Sequence, residues 1–337
     1  MKNIFARLFD LFAGQKETDE APNAPENVAE QPEKSELPVD INDRAEMIET
    51  DEQGGIPEQN EKVGTPETDE PAETINIAED DGTEGKRANP FPTITDAQTY
   101  THQGKREYQE DNHHAATNFL IVSDGMGGHA KGDVASQIVV ETLIQQLGQF
   151  SEIDADTPQQ VEERLQIVIQ NIITALNDYV VKEPMAYKMG TTLAMVLLVE
   201  KTVYAIHIGD SRVYLFDKSG EIKFVSKDHS FVQELVDAGV ITPEKALEHP
   251  RRNVITRVLQ AKEGLRVKAT VNVLDNITTG DKLLICSDGV LEAWKDDGLS
   301  VIFGQNFDNA YLVNEIQKHC AKRSSDNNTA IVATLNL

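Results

Sequence analysis

The sequence predicts an α+β fold in which two stacked antiparallel β-sheets are flanked by α-helices, with an inserted flap. Three observations predict it. Apolar runs of strand length follow one another through links (Glu200-Lys201, Gly209-Asp210 and Lys218-Ser-Gly220) that are too short for crossover helices, so the pairing is expected to be an antiparallel meander. Two long apolar stripes at helical spacing precede those runs, and another helix follows them. A polar, helix-forming stretch over about 227–259 then interrupts the strands, which is the expected flap. Strands that outnumber helices and cluster in the middle of the domain fit a sandwich with helices outside.

Charge divides the 337 residues unevenly. Residues 1–95 hold 24 acids and 8 bases, net −16, leaving −10 of the total of −26 for the rest. Nine of the thirteen prolines precede residue 93, and no aromatic residue lies between Phe12 and Phe91. Such a segment buries too little apolar surface to offset its ordering entropy, so 14–92 is expected to be a disordered acidic linker and 93–337 the folded domain. Before the linker, Met1, Ile4, Phe5, Leu8, Phe9, Leu11 and Phe12 fall on one face of a helical wheel and Lys2, Asn3, Ala6, Arg7 and Asp10 on the other. Residues 1–13 are therefore expected to form an amphipathic docking helix for a protein groove or a membrane surface. With only Lys2 and Arg7 basic, the groove is the better fit.

Phosphate backbones recruit Lys and Arg clusters, and this acidity excludes a nucleic-acid surface. No stretch reaches transmembrane length, and Arg7 and Asp10 interrupt the N-terminal apolar residues with no cleavage site after them, so no secretory signal is expected. Cys286, in an apolar strand, and Cys320, in a helix, read as buried thiols of a reducing compartment and not as a disulfide or zinc framework. The expected location is the cytoplasm, with a tether through the N-terminus.

Along the domain, Ala97 to Gly104 is expected to be the first strand. The charged loop Gly104-Lys-Arg-Glu-Tyr-Gln-Glu-Asp-Asn112 follows. Phe119 to Val122 is apolar and partly β-branched and should deliver Asp124 to a strand-to-helix junction, where Gly125, Gly127 and Gly128 let the chain turn. Val134, Ile138, Val139, Leu143 and Leu147 then repeat at helical spacing. Asp156-Thr-Pro resembles a helix cap with Glu162 or Glu163 close behind, opening the stripe Val161 to Val180. Gly190–Val199, Thr202–Asp210, Ser211–Phe216 and Glu221–Val225 read as strands, and strands resume at Leu265–Leu274 and Lys282–Cys286. A helix over about Asp308–Lys322 leads through Ser324-Ser-Asp-Asn-Asn328 to a closing strand.

Two strands end in Ser-Asp-Gly, at Asp124 and Asp288. Either one alone reads as an ordinary turn. Together with Asp111, Asp326 and Asp210 in Gly209-Asp-Ser-Arg212, they place five acids at strand ends, with Arg106 just ahead of the first. Carboxylates without Cys or converging His favour Mg²⁺ or Mn²⁺ over Zn²⁺. Phosphoryl hydrolysis needs metals that reverse the field of clustered acids and an arginine clamp on phosphate oxygens.

These words, in this order, resemble the PP2C (PPM) family of metal-dependent Ser/Thr protein phosphatases, in its bacterial branch. The matching pieces are Gly104-Lys-Arg106 through Glu110-Asp111, Asp124-Gly-Met-Gly-Gly-His129, Gly190-Thr-Thr192, Gly209-Asp-Ser-Arg212, Asp228-His-Ser230, His249-Pro-Arg-Arg-Asn253, Ser287-Asp-Gly289 and Asp326-Asn327, over about residues 95–337. The resemblance implies hydrolysis of phosphoserine and phosphothreonine by attack of a metal-bridging water. It implies that Asp124 bridges two Mn²⁺ or Mg²⁺ ions and that the Gly125 carbonyl binds one. Asp288 and Asp326 would complete the second site, and Asp210 is the candidate for a third ion. Arg106 would bind the substrate phosphate, Glu110 and Asp111 would hold metal-bound waters, and phosphorylated proteins would be the partners. Met126 stands where eukaryotic relatives carry a histidine, and His129 lies across two glycines from it. His102 and Gln260 also depart from the family pattern without falling on a ligand position. Two other readings remain: a binding module that keeps the fold without the chemistry, and a phosphatase dedicated to one regulatory phosphoprotein.

Overall fold

The central strands are apolar at nearly every position because both of their faces are covered. The structure, a computed structural model, describes residues 91–127, 131–147 and 157–337. The docking helix expected over 1–13, all but the last two residues of the linker expected over 14–92, and His129 lie outside the described residues.

One sheet has the order β1-β12-β11-β7-β8, built from β1 (Thr93–His102), β7 (Arg212–Phe216), β8 (Ile222–Val225), β11 (Lys282–Cys286) and β12 (Asn328–Asn336). The other contains β2 (Asp111–Ala115), β3 (Phe119–Met126), β4 (Gly190–Thr191), β5 (Leu193–Val199), β6 (Thr202–Ile208), β9 (Leu259–Gln260) and β10 (Thr270–Val273). Its order is β10-β6-β5-β3-β4-β9, with β2 on the free side of β3. Every pairing is antiparallel.

The period-2 alternation of strand side chains sorts them into three cores. Leu120, Val122, Ala194, Val196, Val213, Leu215, Leu283, Ile285, Ile331 and Ala333 meet between the sheets. Their neighbours Ile121, Met195 and Leu197 point outward, under α1 (Gly132–Leu147) and α2 (Pro158–Lys182). On the far side Tyr214, Phe216, Leu284, Cys286, Ala330 and Val332 pack against the later helices through Leu299, Phe303, Leu312 and Ile316. The predicted α+β sandwich is therefore four layers, helix-sheet-sheet-helix.

Several local expectations change. The strands from Gly190 to Val225 are not one meander, because β6 pairs with β5 and β10 whereas β7 pairs with β8 and β11. The short link Gly209-Asp-Ser211 is a corner that carries the chain from one sheet to the other. Gly209 allows it with a φ of +104°, and a Cβ there would lie 2.6 Å from Thr192 Cγ2. The first strand begins earlier than expected, at Thr93. The Leu265–Leu274 strand shrinks to Thr270–Val273, because Val267 and Ala269 turn into the helical core and Gln166 Nε2 donates to the Val267 carbonyl at 3.1 Å. The second long helix is capped by Thr157, with Gln160 and not a glutamate completing the reciprocal box.

Between β8 and β9, in the insertion over about 227–259, lie α3 (Phe231–Asp237) and α4 (Pro243–Leu247). Two helices that the sequence pattern did not suggest, α5 (Asp288–Ala293) and α6 (Asp296–Phe303), precede α7 (Asn309–Arg323).

Candidate active site

The site is set by hydroxyl groups before any acid is considered. Ser123 Oγ lies 2.8 Å from Thr191 Oγ1 and donates to the Thr192 carbonyl at 2.9 Å. Thr191 Oγ1 lies 2.8 Å from the Asp124 carbonyl, while Thr192 Oγ1 accepts from the Asp124 amide at 3.0 Å and meets Ser211 Oγ at 2.7 Å. Gly190-Thr-Thr192 thus fixes the backbone of Asp124 and joins it to the corner that carries Asp210.

Asp124 does not end its strand, as the glycines after it suggested. It pairs with Asp111 across β2, and Gly125 and Met126 continue β3 by pairing with Thr191 and Gly190. Gly125 is needed for close approach and not for a turn, since a Cβ there would lie 2.1 Å from the Gly132 carbonyl oxygen and 2.5 Å from that of Glu110. Likewise Asp288 is the first residue of α5 and not a turn tip, with Ser287 at the N-cap position and the carboxylate in a favourable first turn.

The structure brings all five aspartates to one end of the sandwich. Asp124 lies within the field of Asp111, Asp288 and Asp210, and Asp288 within that of Asp326 and Arg106. Burial, and then like charge, raises the carboxyls of Asp111, Asp124, Asp210 and Asp288. Asp111 is pushed up to about 7, Asp210 to about 8 and Asp288 to about 6, and Asp124 is driven well above the carboxylate range. Ser287 Oγ donates to Asp111 Oδ2 at 2.7 Å, which leaves Asp111 Oδ1 buried without a partner, as is Asp210 Oδ1.

The loop carrying Arg106 is clamped by Asn327, whose amide donates to the carbonyls of Gln103 and Tyr108 at 2.8 and 2.9 Å and whose Oδ1 accepts from the Glu110 amide at 2.9 Å. His102 Nδ1 braces the same loop by accepting from Gly104 at 2.9 Å. Arg106 forms an ion pair with Asp326, its side chain 56% exposed against 21% for the acid. Glu110 Oε1 accepts from the Gly132 amide at 3.1 Å and so helps start α1.

Whether these residues suit a hard cation follows from their chemistry. The donors are oxygens only, two buried carboxylate oxygens are orphaned, and the raised acids need either protons or a cation. Among the described residues no three such side chains yet converge on one point. Arg106 engages Asp326, and Asp124 and Asp288 engage each other. The set fits Mn²⁺ or Mg²⁺.

The sequence reading missed the residues that hold the acids: Ser123, Ser287, Thr192, Ser211 and the Asn327 amide. The repeated Ser-Asp-Gly was a usable signal, because in both copies the serine is buried: Ser287 Oγ donates to Asp111, and Ser123 Oγ meets Thr191, whose hydroxyl donates to the Asp124 carbonyl.

Fold and site together define a helix-flanked β-sandwich protein with an oxygen-donor cation centre at one end. A family model described as Protein phosphatase 2C matches residues 100–335. The chain belongs to that family. It is 38% identical over 193 residues to the Serine/threonine protein phosphatase PstP of Mycobacterium tuberculosis, a match covering 57% of this chain and 35% of that protein. It is 34% identical over 200 residues to the Serine/threonine phosphatase stp of Listeria innocua, covering 58% of this chain and 77% of the relative. The crystal structure of the catalytic domain of PstP in complex with two manganese ions superposes with a TM-score of 0.60 at 32% identity, covering 73% of this chain and all of that one.

Proposed function

We propose that this chain is a protein-serine/threonine phosphatase that hydrolyses phosphoserine and phosphothreonine with Mn²⁺ or Mg²⁺. The observation that carries the reading is the clustering of Asp111, Asp124, Asp210, Asp288 and Asp326 within one another's fields at one end of the sandwich, with two orphaned oxygens, beside an exposed arginine. Asp124, the Gly125 carbonyl, Asp288 and Asp326 would hold two ions, with Asp111 behind them and Asp210 serving a third. Bound ions would acidify water and offset the phosphoryl charge. Arg106 exchanges its bond to Asp326 for one to the phosphate, and the Asn327 clamp keeps its loop in place for that exchange. Glu110 orients Asp111 through the fold, since it ties the loop to the start of α1.

A binding module without chemistry fits less well, because the acids and Arg106 are all present and braced. A phosphatase dedicated to one regulatory phosphoprotein would use the same site. The partners in either case are phosphorylated proteins. Residues 1–13 would dock the enzyme to a protein groove, or to a membrane surface, and the chain would work in the cytoplasm. In keeping with that, no helix among the described residues is long and apolar enough to cross a membrane.

The test is turnover of a phosphothreonine peptide by the full chain with Mn²⁺. Activity should stop in chelator and in Asp288→Asn, with the circular dichroism of the variant unchanged. Undiminished turnover in chelator would sink the mechanism.

A further inference from the structure

Asp124 and Asp210 stand on separate pieces of backbone, the strand β3 and the corner Gly209-Asp-Ser211 between the sheets. One side chain touches both. The Thr192 amide donates to the Asp124 carbonyl at 2.9 Å and Thr192 Oγ1 accepts from the Asp124 amide at 3.0 Å, so a single residue holds both polar groups of the Asp124 backbone. The same hydroxyl meets Ser211 Oγ at 2.7 Å, and the Thr192 methyl lies under Gly209, where an added Cβ would come within 2.6 Å of it. Thr192 therefore contacts the residue on each side of Asp210.

The corner is stiff. Gly209 is fixed by His229, whose amide donates to its carbonyl at 2.8 Å and whose Nδ1 accepts from its amide at 3.1 Å. Arg212, the residue after Ser211, is fixed by a two-point bond to Asp228 at 2.7 and 2.8 Å. Between these clamps Asp210 and Ser211 shift together or not at all.

Thr192 and Ser211 are wholly buried, and among the described residues the Ser211 hydroxyl has no hydrogen-bond partner but Thr192. Stability alone does not require the pair, since two buried hydroxyls that satisfy each other are matched by two apolar groups of the same shape. What an apolar pair lacks is direction. The bond to Ser211 selects the Thr192 rotamer in which Oγ1 faces the Asp124 amide.

We propose that Thr192 and Ser211 are positioning residues that act as one hydroxyl pair, so that Ser211, in the Asp210 corner, sets how tightly a cation binds at Asp124. The proposal rests on the Mn²⁺ or Mg²⁺ reading above and deepens it. The candidate sites at Asp124 and Asp210 are thereby linked, and such linkage runs equally in both directions.

Calorimetric titration of Mn²⁺ into the full chain, first freed of metal by chelation, reads the first ion to bind without any turnover. Ser211→Ala should weaken that ion roughly tenfold, the usual scale for a group that orients a ligand from outside the coordination sphere. Thr192→Val should weaken it at least as much, and adding Ser211→Ala to Thr192→Val should cost nothing more. Thr192→Ser keeps the hydroxyl and should bind Mn²⁺ as wild type does. Melting in chelator checks that each protein is folded; a pair that merely filled space would lower Tm there and leave the Mn²⁺ Kd unmoved. Unchanged affinity in Ser211→Ala, or losses that multiply in the double variant, would overturn the proposal. Should Ser211→Ala not fold, the two Thr192 variants decide: weakening by valine alone sustains the proposal, and equal affinities overturn it. If wild type binds no Mn²⁺, the cation reading fails and the proposal falls with it, whereas binding by wild type with no change in the variants sinks the proposal alone.

Discussion

Asp111 and Asp124 face each other across the β2–β3 ladder, two carboxylates in register in one sheet. Like charges opposite one another destabilise a ladder, and burial makes these worse. A cation removes the conflict, so ion binding and folding are coupled. At free Mn²⁺ one hundred times its Kd, the protein should gain about 2.7 kcal/mol, read as a rise in Tm. Asp124→Asn should melt higher than wild type in chelator yet show no Mn²⁺-dependent rise. A variant that keeps the full rise would remove Asp124 from the ligand set.

The Arg106–Asp326 pair makes a second prediction. Arg106 touches a candidate ligand but carries positive charge, so on the proposed reading it would compete with the cation and bind the phosphate. Arg106→Ala should raise KM for a phosphopeptide by roughly tenfold to a hundredfold, the worth of a hydrogen bond to a charged group. Mn²⁺ affinity, measured by calorimetry, should not weaken. A matching loss of Mn²⁺ binding would mean that Arg106 organises the metal site and does not clamp the substrate.

The third prediction concerns pH and the root of the insertion. His229 stacks on His207 with ring centroids 4.4 Å apart, and its Nδ1 accepts from the Gly209 amide at 3.1 Å. Burial, then His207 and Arg257, lower its pKa to about 3, so the folded protein holds it neutral while the unfolded chain takes up a proton near 6.5. Between those values the unfolded state binds more protons, and stability therefore rises with pH. Its contribution is complete above about 6.5 and declines as the medium is acidified toward 3. In His229→Asn the amide oxygen can still accept from Gly209 but does not titrate. With Mn²⁺ present, wild type should lose Tm relative to this variant between pH 7 and pH 5. Parallel curves would show that His229 is not the group responsible.

The sandwich was legible because strand length, link length and two helical stripes all report on local spacing. Its topology was less so. The corner at Gly209-Asp-Ser211 has the length of a hairpin turn, and only the tertiary partners of β6 and β7 tell that the chain changes sheets there. The aspartates were legible through Ser-Asp-Gly and Gly-Asp-Ser, since carboxylates beside glycine at strand ends are conspicuous. The hydroxyls of Thr192 and Ser211 were not, because a buried serine or threonine in a strand looks the same whether it braces an acid or only fills space. Short helices such as Asp288–Ala293 escape for a simpler reason: six residues hold less than two turns of periodicity.

β12 lies between β1 and β11, and it joins an early strand of the domain to a late one. During synthesis, β1 and β11 have no common neighbour until residues 326–336 emerge. Ile331 and Ala333 are then missing from the layer between the sheets, and Asn327 is not yet there to hold the Arg106 loop. The domain cannot condense segment by segment as it leaves the ribosome, because these long-range pairings close a span of more than two hundred residues. If the chain is the proposed phosphatase, a product released before residues 326–336 should be inactive, because it lacks Asp326 and the strand that joins β1 to β11.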